Sequence, residues 1–144
     1  DKLAAVCENA ASFFLDTTYI PKRKLPVLFQ VGNEDYGPGN TGPAIPMSLL
    51  DTLIRTPGIP LLNGKHYRIA QNHIKTFGLN PNFTISGDTN SVSFATYKSL
   101  TPGSINDFRF VMVKNLRHAY PNGDNHWMEG ARVHWAWFKQ YSMP

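Results

Sequence analysis

Apolar positions along the chain fall into short continuous runs, one alternating run and stretches of helical spacing. Leu25-Pro26-Val27-Leu28-Phe29-Gln30-Val31 is nearly continuous and stops at Gly32. A run this short and this apolar suits a strand buried on both faces, which predicts a parallel sheet covered by helices. The turn residues Gly32-Asn33-Glu34-Asp35-Tyr36-Gly37-Pro38-Gly39-Asn40 then carry the chain over the end of that sheet. Met47, Leu50 and Ile54, with Leu49 and Leu53, have helical spacing, start near Pro46 and Ser48, and stop at Thr56-Pro57-Gly58. A second helix is predicted over Lys65 to Phe77, capped by Gly78, with Pro81 just beyond.

Ser91 to Tyr97 alternates polar and apolar as a half-exposed strand does, and Thr101-Pro102-Gly103-Ser104 breaks it. Phe108-Arg109-Phe110-Val111-Met112-Val113 is the second strongly apolar strand. Met128, Ala131, Trp135 and Phe138, widened by Val133 and Trp137, predict a long terminal helix between Trp127 and Tyr141. The first twenty residues are Ala- and Phe-rich, end in Asp16-Thr17-Thr18-Tyr19, and receive no assignment. Strands alternating with helices predict an α/β layer fold.

Composition narrows the class. The chain has 144 residues, 42% apolar and 12% aromatic, with a single Cys. That supply of core residues excludes a disordered or disulfide-stapled chain, and residues 1–144 read as one domain. The net charge of +4 is spread thinly; Lys22-Arg23-Lys24 is the one dense basic cluster, no nucleic-acid recognition motif accompanies it, and no nucleic-acid partner is expected. No apolar stretch approaches the ~20 residues that cross a bilayer, so no membrane span is expected. The chain opens at Asp1 without Met or leader and reads as a processed or excised piece. Cys7 reads as a buried apolar thiol, with a bridge to a segment outside the chain left open, and the sequon Asn82-Phe83-Thr84 is too common to mark a compartment.

Two polar loops follow the two best strands, one carrying Glu34-Asp35 and the other Arg117-His118-Ala119-Tyr120-Pro121-Asn122-Gly123. Loops at the carboxyl ends of neighbouring parallel strands converge on one rim. An acid and a histidine meeting there form an orienting pair: the carboxylate accepts the Nδ1 proton and leaves Nε2 as a general base. Each residue alone reads equally as turn chemistry or a satisfied polar group.

Val27 to Asp35, with Gly32 closing the strand and the acid three residues later, resembles the acid turn of α/β-hydrolases. The string His118-Ala119-Tyr120-Pro121-Asn122-Gly123 with the following Trp135-Ala136-Trp137-Phe138-Lys139 is similar to the histidine loop and last helix of the polyhydroxybutyrate depolymerase-like and feruloyl esterase-like branch. The resemblance runs from Leu25 to the C-terminus; Gly39 to Leu100 shares only the order of elements. It implies Asp35 as triad acid and His118 as general base, with Glu34 as the fallback acid. Arg117 departs from the small residue or Gly the family places before its histidine.

The nucleophile elbow Gly-x-Ser-x-Gly, which belongs upstream of the acid, has no counterpart here. Ser12 lacks flanking glycines, and Ser104 follows the acid. The chain therefore resembles the C-terminal portion of a serine hydrolase acting on carboxylic esters, polymeric or aryl among them. It is expected to be inactive alone, without a cofactor, and to partner the missing N-terminal part of the same protein. The alternative is a non-catalytic binding or interaction module derived from the same fold. Secretion is implied by the family analogy alone. A truncated sheet is also expected to leave an edge of Val27–Val31 unpaired and to associate or dissolve poorly when isolated.

His66 and His73, seven apart on the second helix, read as a solvated face, a metal pair being the sharper alternative. No metal site is expected. His126 and His134 read as packing or surface residues, and Trp127, Trp135 and Trp137 as core, with an aromatic substrate surface as the alternative.

Overall fold

The computed structural model describes residues 3–10, 18, 20–58 and 64–141. Its centre is a five-stranded sheet in the order β1-β2-β5-β4-β3, built from β1 (Val6–Asn9), β2 (Val27–Gly32), β3 (Leu79–Gly87), β4 (Val92–Ser99) and β5 (Phe108–Val113). β1, β2 and β5 run parallel, whereas β4 and β3 run antiparallel to them. The sheet is thus mixed, and the parallel arrangement expected from the apolar runs holds only for its first three strands. A one-turn 3-10 helix (Met47–Leu49) leads into α1 (Leu50–Arg55), followed by α2 (Lys65–Phe77) and α3 (Gly130–Phe138). The terminal helix is shorter than its apolar spacing predicts, because residues 117–129 form a loop held by its own side chains.

The period-two rule sorts the parallel strands onto two layers. Val27, Phe29, Val31, Phe108, Phe110 and Met112 face α1 and α2, and meet Leu50, Leu53, Ile54, Ile69 and Ala70 in the larger core. Leu28, Val111 and Val113 face the other way and pack with Leu116, Met128 and Trp137 beneath α3. Every residue of β2 is buried, as its continuous apolar run requires. Phe29 and Phe110 stand with ring centroids 5.0 Å apart and no exposure; truncating either to Ala would cost about 3–5 kcal/mol.

β2 lies between β1 and β5, so among the described residues the open edge expected on Val27–Val31 belongs instead to β1. The helix stops behave as expected: α1 ends before Pro57, and α2 ends at Gly78, whose φ of +63° closes the last turn through its N–H to Ile74 O. Among the described residues no helix is long and apolar enough to cross a membrane.

Candidate acid–histidine site

Gly32 is where the site begins. It ends β2 opposite Val113, the last residue of β5, and a Cβ on it would lie 1.8 Å from Leu116 O. Only Gly lets the two strand ends touch there. The contact is then stitched by hydrogen bonds: Asn33 N–H to Val113 O (2.9 Å) and Glu34 N–H to Leu116 O (3.0 Å). The buried Asn33 side chain accepts from Asn115 N–H (2.7 Å) through Oδ1 and donates from Nδ2 to Ile45 O (2.9 Å). Asn115 sits at φ +57°, a left-handed conformation that Asn tolerates.

Beyond these stitches the two loops present matching residues. Arg117 Nε lies 3.4 Å from Glu34 Oε2, and His118 Nδ1 lies 2.9 Å from Asp35 Oδ1. An ionised carboxylate has no proton to give, so His118 Nδ1–H is the donor and Nε2 carries the lone pair. Asp35 is buried, and its Oδ1 also accepts Gly37 N–H at 2.9 Å. The His118 side chain keeps 29% of its surface exposed, against none for the Asp35 side chain. The pair therefore has a fixed acid on the inside and an accessible imidazole on the outside. Glu34 pairs with Arg117 at the surface rather than with His118, and Arg117 turns outward, leaving the imidazole on Asp35.

The histidine loop is held from several sides. Asn9, the last residue of β1, donates from Nδ2 to Ala119 O (3.3 Å) and accepts from Gln30 Nε2 (2.7 Å). His126 Nε2–H donates to Lys114 O (2.8 Å) while its Nδ1 accepts Met128 N–H (3.1 Å), which fixes its tautomer and makes it a loop brace. Tyr120 O–H reaches His134 Nδ1 at 3.4 Å across an edge-on ring contact. Burial lowers the pKa of His134 and raises that of Tyr120, so this is a neutral pair.

His66 and His73 are buried against the sheet, which corrects the expectation of a solvated face. His73 stacks on Phe108 at a centroid distance of 4.0 Å, donates from Nδ1–H to Ile69 O (2.8 Å), and lies 3.6 Å from the buried Glu8 carboxylate. His66 lies 5.6 Å from the Phe110 ring, and burial, with help from Lys65, pushes its pKa down to about 4. Among the described residues no group of three or more His, Cys, Asp or Glu side chains is arranged to hold a metal. Cys7 is half-buried and its pKa is pushed up to about 12 by burial and by Glu8, so it stays a thiol.

Ser104 stands before β5 and His118 after it, so a six-residue strand of ~20 Å separates them. Ser12 lies outside the described residues. Of the tryptophans, only Trp137 fills the core; Trp127 and Trp135 are 59% and 63% exposed. The sequence shows Gly32 as the strand's stop but does not reveal the roles of Asn9 and Asn33. Gly32 and Asn33 carry a readable signal, a Gly-Asn step closing a buried strand, whereas Asn9 ends a strand too short to be read. No family model and no curated protein matches the chain.

Proposed function

We propose that the chain is the acid- and histidine-bearing part of an α/β-hydrolase of the polyhydroxybutyrate depolymerase-like and feruloyl esterase-like kind. In this reading it acts on carboxylic esters once a serine is supplied from outside the described residues. The observation that carries the proposal is the 2.9 Å bond between His118 Nδ1 and the buried Asp35, made by loops that follow two adjacent parallel strands in the order acid, then histidine.

Asp35 holds the tautomer that leaves Nε2 free and stabilises the imidazolium once it forms. As the serine oxygen attacks the ester carbonyl carbon, its proton passes to His118 Nε2. The same proton then goes to the departing alcohol oxygen as the C–O bond breaks. Water, deprotonated in turn by Nε2, frees the acyl group and restores the serine. His118 and Asp35 contribute only the proton steps, so the chain without the serine has no group to acylate.

In the intact protein carrying the serine, His118→Ala is expected to lower kcat/KM for a chromogenic ester by about 10³–10⁴-fold or more. Near-normal hydrolysis in that variant refutes the assignment. A second reading, a binding module retaining this half of the fold, is favoured by exposed Trp127 and Trp135. It predicts binding of an aromatic or polymeric ligand that Trp135→Ser weakens and His118→Ala leaves intact.

A further inference from the structure

Asp35 has two oxygens, and the acid–base pair accounts for one. Oδ1 takes both the His118 and the Gly37 N–H groups. Oδ2 is buried and makes no hydrogen bond among the described residues. A buried carboxylate oxygen without a donor is strongly unfavourable, and such atoms in a native fold call for a partner. A second orphan stands on the neighbouring helix: both ring nitrogens of His66 are buried and without a hydrogen bond. A neutral imidazole always carries one N–H, so His66 holds the missing donor.

We propose that His66 is a positioning residue for the acid: a ring N–H of His66 serves Asp35 Oδ2 across one trapped water, so that the carboxylate is gripped from the helix side while His118 uses its outer oxygen. This inference rests on Asp35 and His118 acting as the acid and base proposed above.

Three features of the fold support it. First, α2 runs antiparallel to β2 and β5. Its last residue, Phe77, accepts from Asn106 ahead of β5, and Gly78 O accepts Leu100 N–H, so its first turn lies toward the carboxyl rim that holds Asp35. Second, the histidines track that direction. His73 stacks on Phe108 and His66 contacts Phe110, one step further along the same face of β5. Third, the Asp35 charge acts on the His66 ring, opposing the burial that keeps the ring neutral. A neutral ring is the form that can donate one proton without placing a second charge beside Asp35. Gln30 Oε1, a buried amide acceptor without a hydrogen bond five residues before Asp35, lies on the α3 side of the sheet, as its register opposite Val111 requires, and does not compete.

The test reads the imidazole protons of the full chain by ¹⁵N-resolved NMR and needs no ester turnover. In the parent protein the His66 ring N–H is expected to be slow to exchange with solvent and to shift in Asp35→Asn. In His66→Phe, the His118 Nδ1–H is expected to exchange about tenfold faster or more, the scale of one lost hydrogen bond. His66→Gln, which retains an N–H donor, restores exchange to within about threefold of the parent. A purely structural role moves folding stability in both variants alike and gives no such rescue. The proposal is overturned by a His66 ring indifferent to Asp35→Asn, or by Phe and Gln variants with the same His118 exchange. If His66→Phe fails to fold, the parent and His66→Gln measurements decide alone. Because nothing here depends on hydrolysis, an inactive completed enzyme would refute the ester reading and leave this result standing.

Discussion

The three parallel strands and the antiparallel hairpin are halves of one sheet, yet they treat carboxylate and imidazole side chains in opposite ways. Around β1, β2 and β5 the polar side chains are taken inside: Glu8, Gln30, Asn33, Asp35, His66 and His73 are all buried or nearly so. Around β3 and β4 the charges stay at the surface, as in the Lys98–Asp107 pair and the Asp88 turn that accepts Asn90 N–H. Parallel strands send their carboxyl ends to one rim, where loop backbones can satisfy side chains that water does not reach. A hairpin sends its ends to opposite rims and closes on itself through a local turn. Buried carboxylates and imidazoles therefore collect on the parallel half, and substitutions should separate the halves by size of effect.

The largest effect is expected at Gly32. An added Cβ would stand inside the radius of Leu116 O, and both that oxygen and the Gly32 Cα that would carry the Cβ belong to backbone that the Asn33 stitches hold in place. Gly32→Ala should lower stability by about 4 kcal/mol, among the larger single-residue losses. Urea denaturation measures this, and a loss below about 1 kcal/mol would mean that the two strand ends are not in contact.

Acid should come next, and it too acts on the parallel half. His66 titrates near 6.5 when unfolded but near 4 when folded, because burial disfavours its charge. Between those values the unfolded chain binds more protons, so stability is fully present above pH 6.5 and falls as pH drops toward 4. The loss is about 3 kcal/mol over that window, and His134, whose pKa burial also lowers, adds to it in the same direction. Denaturant midpoints at neutral pH and near pH 4.5 measure it. His66→Gln should flatten most of the slope, and an unchanged slope would place the acid sensitivity elsewhere.

The same contrast explains what was legible in the chain. β2 and β5 were readable because both faces of each are covered, which leaves continuous apolar runs. The meeting of Asp35 and His118 was readable because loops after such neighbouring parallel strands share a rim. β1 was not, since Val6-Cys7-Glu8-Asn9 is four residues long and half polar, and its partner in register lies twenty-one residues away. β3 was hidden by Asn80-Pro81-Asn82, which reads as a turn; an edge strand tolerates Pro because its outer side needs no ladder. His66 and His73 were placed on the wrong face because histidine counts as polar. Yet the stripe they share with Ile69, Ala70 and Phe77 is the buried stripe of α2, and that spacing is the signal.

Asn33→Ala should be milder than the loss of Gly32. It removes two buried side-chain bonds and strands Asn115 N–H and Ile45 C=O, for about 2 kcal/mol. The backbone bonds of residues 33 and 34 survive, so His118 Nδ1–H should remain visible by NMR but exchange faster. Exchange at the parent rate would show that the Gly32 contact alone sets the loop geometry.

The smallest effect is expected on the hairpin, where it completes the comparison. Ile85 lies on edge strand β3 opposite Ala95 and is 48% exposed. Ile85→Thr keeps the branched side chain that suits a strand and replaces an ethyl group by a hydroxyl on a solvated face. Stability should stay within about 0.5 kcal/mol of the parent, and His118 Nδ1–H exchange should not move. Both readouts matter. A stability loss above about 1 kcal/mol would mean that residues outside the described ones cover this face of β3. A change at His118 without such a loss would mean that the hairpin reaches the rim through β4 and β5, and the division between the two halves of the sheet would then fail.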